Sequence, residues 1–193
     1  MTLLVLGLVL FLGAHSVRIF GEGWRTAMIA RLGANGWKGL YSLVSAAGLV
    51  LIVIGFGAAR AQPTVLWAPP VWTRHLAALL NLVALVMIAA SYVSGNLIKA
   101  WLLGHPMILG LEVWAFAHLI SNQTTTEFVL FGAFLVWAVL VFRAARGRDR
   151  TAGVSLPPGR MGPTLVPVLA GPGLWARIAF WAHGALIGVR PFG

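Results

Sequence analysis

Two histidines and a glutamate, His105, Glu112 and His118, sit in an otherwise apolar stretch running from Gly104 to Leu119. Two more histidines, His15 and His75, stand at the ends of other apolar runs. Neutral imidazole ligates metals and haem iron, and it moves protons near neutral pH. A carboxylate inside an apolar run is costly, so it either accepts a buried hydrogen bond or handles a proton. With no cysteine in the chain, thiolate ligands, disulfides and cysteine nucleophiles are excluded. His105 and His118 are 13 residues apart, or about 20 Å along one helix, so they cannot ligate the same ion. Any partner of either must come from another element.

The composition says what those elements are. Of 193 residues, 60% are hydrophobic and only 9% charged, and the mean hydropathy is +0.90. A soluble domain carries about a quarter charged residues to keep a polar skin. The chain is therefore read as an all-α polytopic membrane bundle, built as one membrane domain over residues 1–193. The formal net charge of +10 is read as orienting the chain and meeting anionic lipid headgroups, with no nucleic acid as partner. Five apolar runs match the roughly 17–25 residues of a span, near 2–17, 40–59, 75–94, 104–121 and 127–143. From 144 to 173 the chain turns Arg-, Pro- and Gly-rich and reads as a cytoplasmic linker. The last apolar stretch, 174–189, is either an amphipathic helix on the inner face or a sixth, C-terminal helix packed on the bundle. The second is the expectation carried forward.

Basic residues orient the spans under the positive-inside rule. Arg18, Arg25, Arg31 and Lys38 follow the first run, and Arg143, Arg146, Arg148 and Arg150 follow the fifth. Both segments are then cytoplasmic, and the amino terminus lies outside. His15 closes span one and His105 opens span four, so they share the inner level. His75 opens span three and His118 ends span four, near the outer one. His105-Pro106 reads as a helix start, with the proline at the first helical position. Glu112 lies on nearly the same face as His105 about 10 Å deeper, with Asn81 of span three at a comparable depth to bond it. Each of these has a plain structural alternative. An interfacial histidine is tolerated for its amphipathic ring, and Glu112 with Asn81 makes an interhelical hydrogen bond rather than a relay. Gly48, Gly55 and Gly57, with Ser42, Ser45 and Ala46, suggest close helix contact in span two.

Several segments together resemble a known family. Gly13-Ala14-His15-Ser16-Val17-Arg18, Tyr41-Ser42-Leu43-Val44-Ser45, Gly104-His105-Pro106-Met107-Ile108-Leu109-Gly110, Trp114-Ala115-Phe116-Ala117-His118 and Leu130 to Trp137 occur in the order of the NnrU family. These bacterial integral membrane proteins are relatives of the zeta-carotene isomerases. The resemblance implies a bacterial inner-membrane protein associated with nitrite and nitric oxide reduction. Through the isomerases it implies haem b, with His15 and His105 as axial ligands to the haem iron. It also matches the isomerases' other two histidines to His75 and His118. Arg18, one turn beyond His15, would meet the haem propionates. A cysteine that serves as a redox-switched ligand in the isomerases has no counterpart here, and Glu112 departs from the family pattern.

The leading expectation is thus a haem-dependent, isomerase-like or redox-linked protein acting on an apolar or gaseous substrate, carotenoid-related or denitrification-associated. The alternative is a non-enzymatic accessory or scaffold for respiratory complexes, with membrane lipid and another membrane protein as its partners. A small transporter with Glu112 as its proton site is weaker, because no repeat-related broken helices are evident.

Overall fold

The computed structural model describes residues 1–192 and is helical through most of its length. Its elements are α1 (Thr2–Phe20), α2 (Glu22–Arg60), α3 (Val71–Ser91), α4 (Leu97–Trp101), α5 (Pro106–Ser121), α6 (Thr125–Thr151), α7 (Met161–Arg177), a π-helical turn (Ile178–Ala182) and α8 (His183–Ile187). Backbone groups in lipid must be satisfied within the segment, which is why long apolar runs become helices here. Among the described residues five helical stretches are long and apolar enough to cross a membrane: 2–20, 22–60, 71–91, 125–151 and 161–187.

This set differs from the one expected in four places. The histidine-bearing helix α5 has only 16 residues, just below the usual length of a span. The C-terminal stretch instead reaches back to Met161 and becomes a long helix. Its prolines Pro167 and Pro172 and its arginine hide that helix from a simple reading. The expected 144–173 linker shrinks accordingly, because α6 continues to Thr151 and α7 begins at Met161. The basic segment after the first run is helical as well, forming the start of α2. Only Gly33, at φ 73 and ψ 165, interrupts it.

Contacts divide the chain into two compact units, residues 1–68 with 123–141 and residues 69–122 with 142–193. Helix α6 contributes its first part to one and its last part to the other. In the first unit α1 and α2 run antiparallel, and glycines let the backbones touch. A Cβ at Gly7 would lie 2.5 Å from Ile52 N, and one at Gly48 2.7 Å from Phe11 N. At Gly55 it would run into the backbone of Leu3 and Leu4. Gly57 has open space around it, so the expected glycine contact holds for two of its three members. Leu4, Leu8 and Ile52 form the buried core, with Val129, Leu130, Ala133 and Phe134 of α6 packed against it.

Helix α6 starts with the sequence Thr124-Thr125-Thr126-Glu127. Glu127 Oε2 accepts the Thr124 N–H at 3.1 Å and the Thr124 hydroxyl at 3.0 Å, the reciprocal carboxylate half of a capping box. In the second unit the same small-residue logic recurs. Gly110 of α5 lies against the Ala84 carbonyl of α3, and Gly171 of α7 against Val86. Asn96 is buried and caps α4 by accepting the Lys99 N–H at 2.7 Å, while its amide donates to the carbonyls of Ala90 and Val93.

Candidate functional site

His15 sits on α1 where that helix faces α2 and α6 in the first unit. Its ring lies 4.3 Å from Phe11, 5.2 Å from Tyr41 and 6.1 Å from Trp137, centroid to centroid. Nδ1 is 2.6 Å from the Phe11 carbonyl. A carbonyl can only accept, so Nδ1 carries the hydrogen, and in the neutral ring Nε2 presents its lone pair. A second partner of this kind fixes tautomer and ring orientation in metal-ligating histidines, and His118 makes the same i−4 bond on its own helix; what sets His15 apart is the cavity beside it. A cavity of about 220 Å³ opens beside it, lined by Ala14, His15, Val17, Arg18, Arg25, Trp37 and Tyr41.

Two cations flank the cavity, and one carboxylate bridges them. Glu22 Oε1 accepts from Arg25 Nη1 at 2.9 Å, and Glu22 Oε2 is 3.9 Å from Arg18 Nε. The bridge spans the α1–α2 corner at Gly21, whose φ of −140 and ψ of 38 break the helix. Arg25 and Trp37 had not stood out in the sequence as site residues. They lie in the basic cytoplasmic segment after the first run, and its helical form in α2 brings them to His15.

His105 is placed differently. It is the N-cap of α5, with Pro106 at the first helical position, as the His-Pro pair implied. Ahead of it Leu103 and Gly104 take φ of 56 and 83. For leucine that left-handed conformation is strained and needs support from its surroundings. The His105 Nε2–H donates to Asp149 Oδ2 at 2.7 Å, and Arg146 Nη1 holds the same oxygen at 3.2 Å. Phe142 meets the His105 ring edge-on at 6.0 Å. Residue type alone gives Asp149 no role at the site, although one acid embedded in the basic run 143–150 signals that it has a partner.

Asp149 lies beyond the apolar run that ends at 143. The hydrogen bond from His105 foremost, with help from Arg146, holds its carboxyl below the usual carboxylate range despite the opposing cost of burial. A carboxyl depressed on folding stabilises the native form above its unfolded value, about 3.9. That contribution disappears as pH falls through the folded value. Asp149→Asn should therefore melt lower than wild type near neutral pH in detergent. The gap between them should close on acidification below the ordinary Asp range. A gap that stays constant with pH would contradict this account.

The remaining expected residues do not join a common site. His118 Nδ1 donates to the Trp114 carbonyl of its own helix at 2.8 Å, and its ring lies 5.0 Å from that indole. His75 is exposed at the start of α3. The Asn81 amide donates to the Ala77 carbonyl at 2.8 Å rather than to Glu112. Glu112 Oε1 is buried without a hydrogen-bond partner. The expected Asn81–Glu112 bond is thus replaced by a local one, because an asparagine amide reaches its own i−4 carbonyl at no cost in rigidity. The fifth histidine, His183, donates from Nδ1 to the Val189 carbonyl at 2.6 Å and pins the C-terminal turn. No group of three or more His, Cys, Asp or Glu able to hold a metal ion occurs among the described residues.

The residues around His15 are of the kind that would hold haem: an oriented imidazole, aromatic rings, and cations for propionates. His105 does not join them as it stands, since its Nε2 is committed to Asp149. The cavity is also smaller than the roughly 300–1,000 Å³ of ordinary ligand pockets. It would hold one edge of a porphyrin rather than the whole ring.

Long apolar helices, broad apolar outer faces and polar residues gathered at helix ends define a polytopic helical membrane protein. Within that class the chain belongs to the NnrU family, whose model, described as NnrU protein, matches residues 3–191 and so runs through both compact units. No curated protein and no solved structure matches it.

Proposed function

We propose that this chain is a haem b protein of the bacterial inner membrane, with isomerase-like or redox-linked chemistry on an apolar or gaseous substrate. The observation that carries this reading is His15, whose Nδ1 is tied to the Phe11 carbonyl while Nε2 stays free beside the cavity. His15 would hold the iron, and Arg18 and Arg25 would hold propionates at the cytoplasmic interface. Haem bound there supplies a redox-active, Lewis-acidic iron at bilayer depth, where carotenoid-like or diatomic substrates concentrate. The chain's own part is to orient the imidazole, neutralise the anionic edge and exclude water with Phe11, Tyr41 and Trp137. His105, the second ligand that the resemblance implies, serves only if it gives up Asp149.

The N-terminus is placed outside, because the basic clusters 18–38 and 143–150 then both face the cytoplasm. Expression with ample haem supply, purification in detergent and an absorption spectrum test the reading. A Soret band at near-stoichiometric haem is expected. A colourless protein that co-purifies with a respiratory complex would overturn it in favour of an accessory or scaffold role.

A further inference from the structure

Glu22, in the first turn of α2, pairs with two arginines through i,i+3 and i,i+4 contacts. It offers one carboxylate oxygen to each of two arginines, Arg25 at 2.9 Å and Arg18 at 3.9 Å, and both line the cavity whose wall includes His15. Trp37 and Tyr41 supply flat apolar faces beside them. The pairs are weakly held, since the side chains of Arg18 and Glu22 are 64% and 49% exposed. Exposed ion pairs of this kind contribute little and exchange readily. Arginine presents a fork of donors that fits carboxylate geometry, and a second carboxylate arriving there would find its donors already aimed.

We infer that Glu22 is an internal stand-in for a ligand carboxylate, holding the anion position between Arg18 and Arg25 until an amphipathic, carboxylate-bearing ring compound displaces it. This deepens the haem reading and rests on it for the identity of the pocket, but it concerns the anionic edge of the ligand and not the iron. The lining combines two cations, Arg18 and Arg25, with the aromatic rings of Trp37 and Tyr41 and the His15 imidazole. A ligand with a charged rim and a flat apolar body matches that combination. A phospholipid phosphate shares the anionic chemistry, so the test must separate the two sources.

The probe is metal-free protoporphyrin IX, which cannot ligate through iron, compared with its dimethyl ester, which has lost both carboxylates. Each is titrated by fluorescence into the full-length protein in phosphatidylcholine nanodiscs. Protoporphyrin IX is expected to bind about tenfold or more tightly than the ester. Arg25→Gln should abolish that preference. Glu22→Gln should tighten protoporphyrin IX several-fold while leaving the ester unchanged, since only the acid competes with Glu22. Equal affinity for acid and ester, or no tightening in Glu22→Gln, would overturn the inference. So would loss of porphyrin binding in phosphatidylglycerol nanodiscs, which would give the anion position to a lipid headgroup. Helical circular dichroism of each variant confirms that the bundle is intact, and Glu22→Ala provides a second removal of the carboxylate. A missing Soret band alongside selective porphyrin binding would sink the haem reading and leave this one standing. A Soret band with no acid preference would do the reverse.

Discussion

Gly55→Ala is expected to unfold the first compact unit at a markedly lower temperature than wild type. A methyl group at that position would meet the backbone of Leu3 and Leu4 on α1, not the yielding end of a side chain. Overpacking a well-fitted interface typically costs about 1–3 kcal/mol, and a backbone-to-backbone clash belongs at the upper end of that range. The whole antiparallel α1–α2 contact depends on the same approach, since Gly7 and Gly48 meet the facing helix in the same way. Gly57 supplies the control. It is two residues further on the same helix with open space around it, and Gly→Ala inside a helix gains roughly 0.5–1 kcal/mol when nothing obstructs the methyl. Gly57→Ala should therefore hold or raise the melting temperature in the same detergent. Equal destabilisation by both substitutions would show that helix propensity or lipid contact, and not the α1–α2 seam, governs this region.

That seam shows where the sequence was readable and where it was not. Small residues in an apolar run signal close helix approach, and Gly48 and Gly55 were found on that basis. Which face of α2 turns inward is set by packing, so Gly57 could not be separated from them by composition. Length and hydropathy likewise disclosed α1, α3 and α6 with only their ends shifted. At the C-terminus they placed a helix over 174–189 but missed its start at Met161, for a physical reason. Pro167 and Pro172 suggested irregular chain, yet Pro167 and Gly171 are buried in a continuous helix against the rest of the second unit. Prolines are tolerated in such helices when neighbours re-satisfy the freed backbone groups.

At the site, the single residues His15 and His105 were legible because imidazole in an apolar run is rare enough to notice. Their partners were not. Phe11 binds His15 through a backbone carbonyl, which leaves no trace in residue type. Asp149 looked like one acid diluted in a basic run. The pairings His75–His118 and Asn81–Glu112 rested on shared depth alone. Depth fixes one coordinate of three, and a polar side chain on a helix can always turn to its own preceding carbonyl, as His118 and Asn81 both do. The four acids of the chain make the same point. Glu22, Glu127 and Asp149 each found a local or basic partner, and Glu112 is the one with a carboxylate oxygen buried and unpartnered.

The second large effect is an asymmetry between two histidines that the sequence treated as equals. His15→Ala is expected to abolish the Soret band, because no other imidazole stands at that cavity and the ring's orientation is built in by the Phe11 carbonyl. His105→Ala is expected to retain most of the bound haem, because His105 Nε2 already has a carboxylate partner. What that variant should lose is stability. Asp149 would be left with Arg146 alone, and the strained Leu103–Gly104 turn would lose its anchoring imidazole. Removing one member of a charge-assisted hydrogen bond is destabilising, so the melting temperature should fall measurably below wild type. Haem content per protein, read from the Soret and protein absorbances, separates the two roles, and thermal melts in detergent follow the stability. Equal loss of the band in both variants would mean that His105 leaves Asp149 to ligate iron, restoring the two-histidine arrangement that the resemblance implies. In that case Asp149→Ala should raise haem occupancy, since it frees Nε2 without touching the ring.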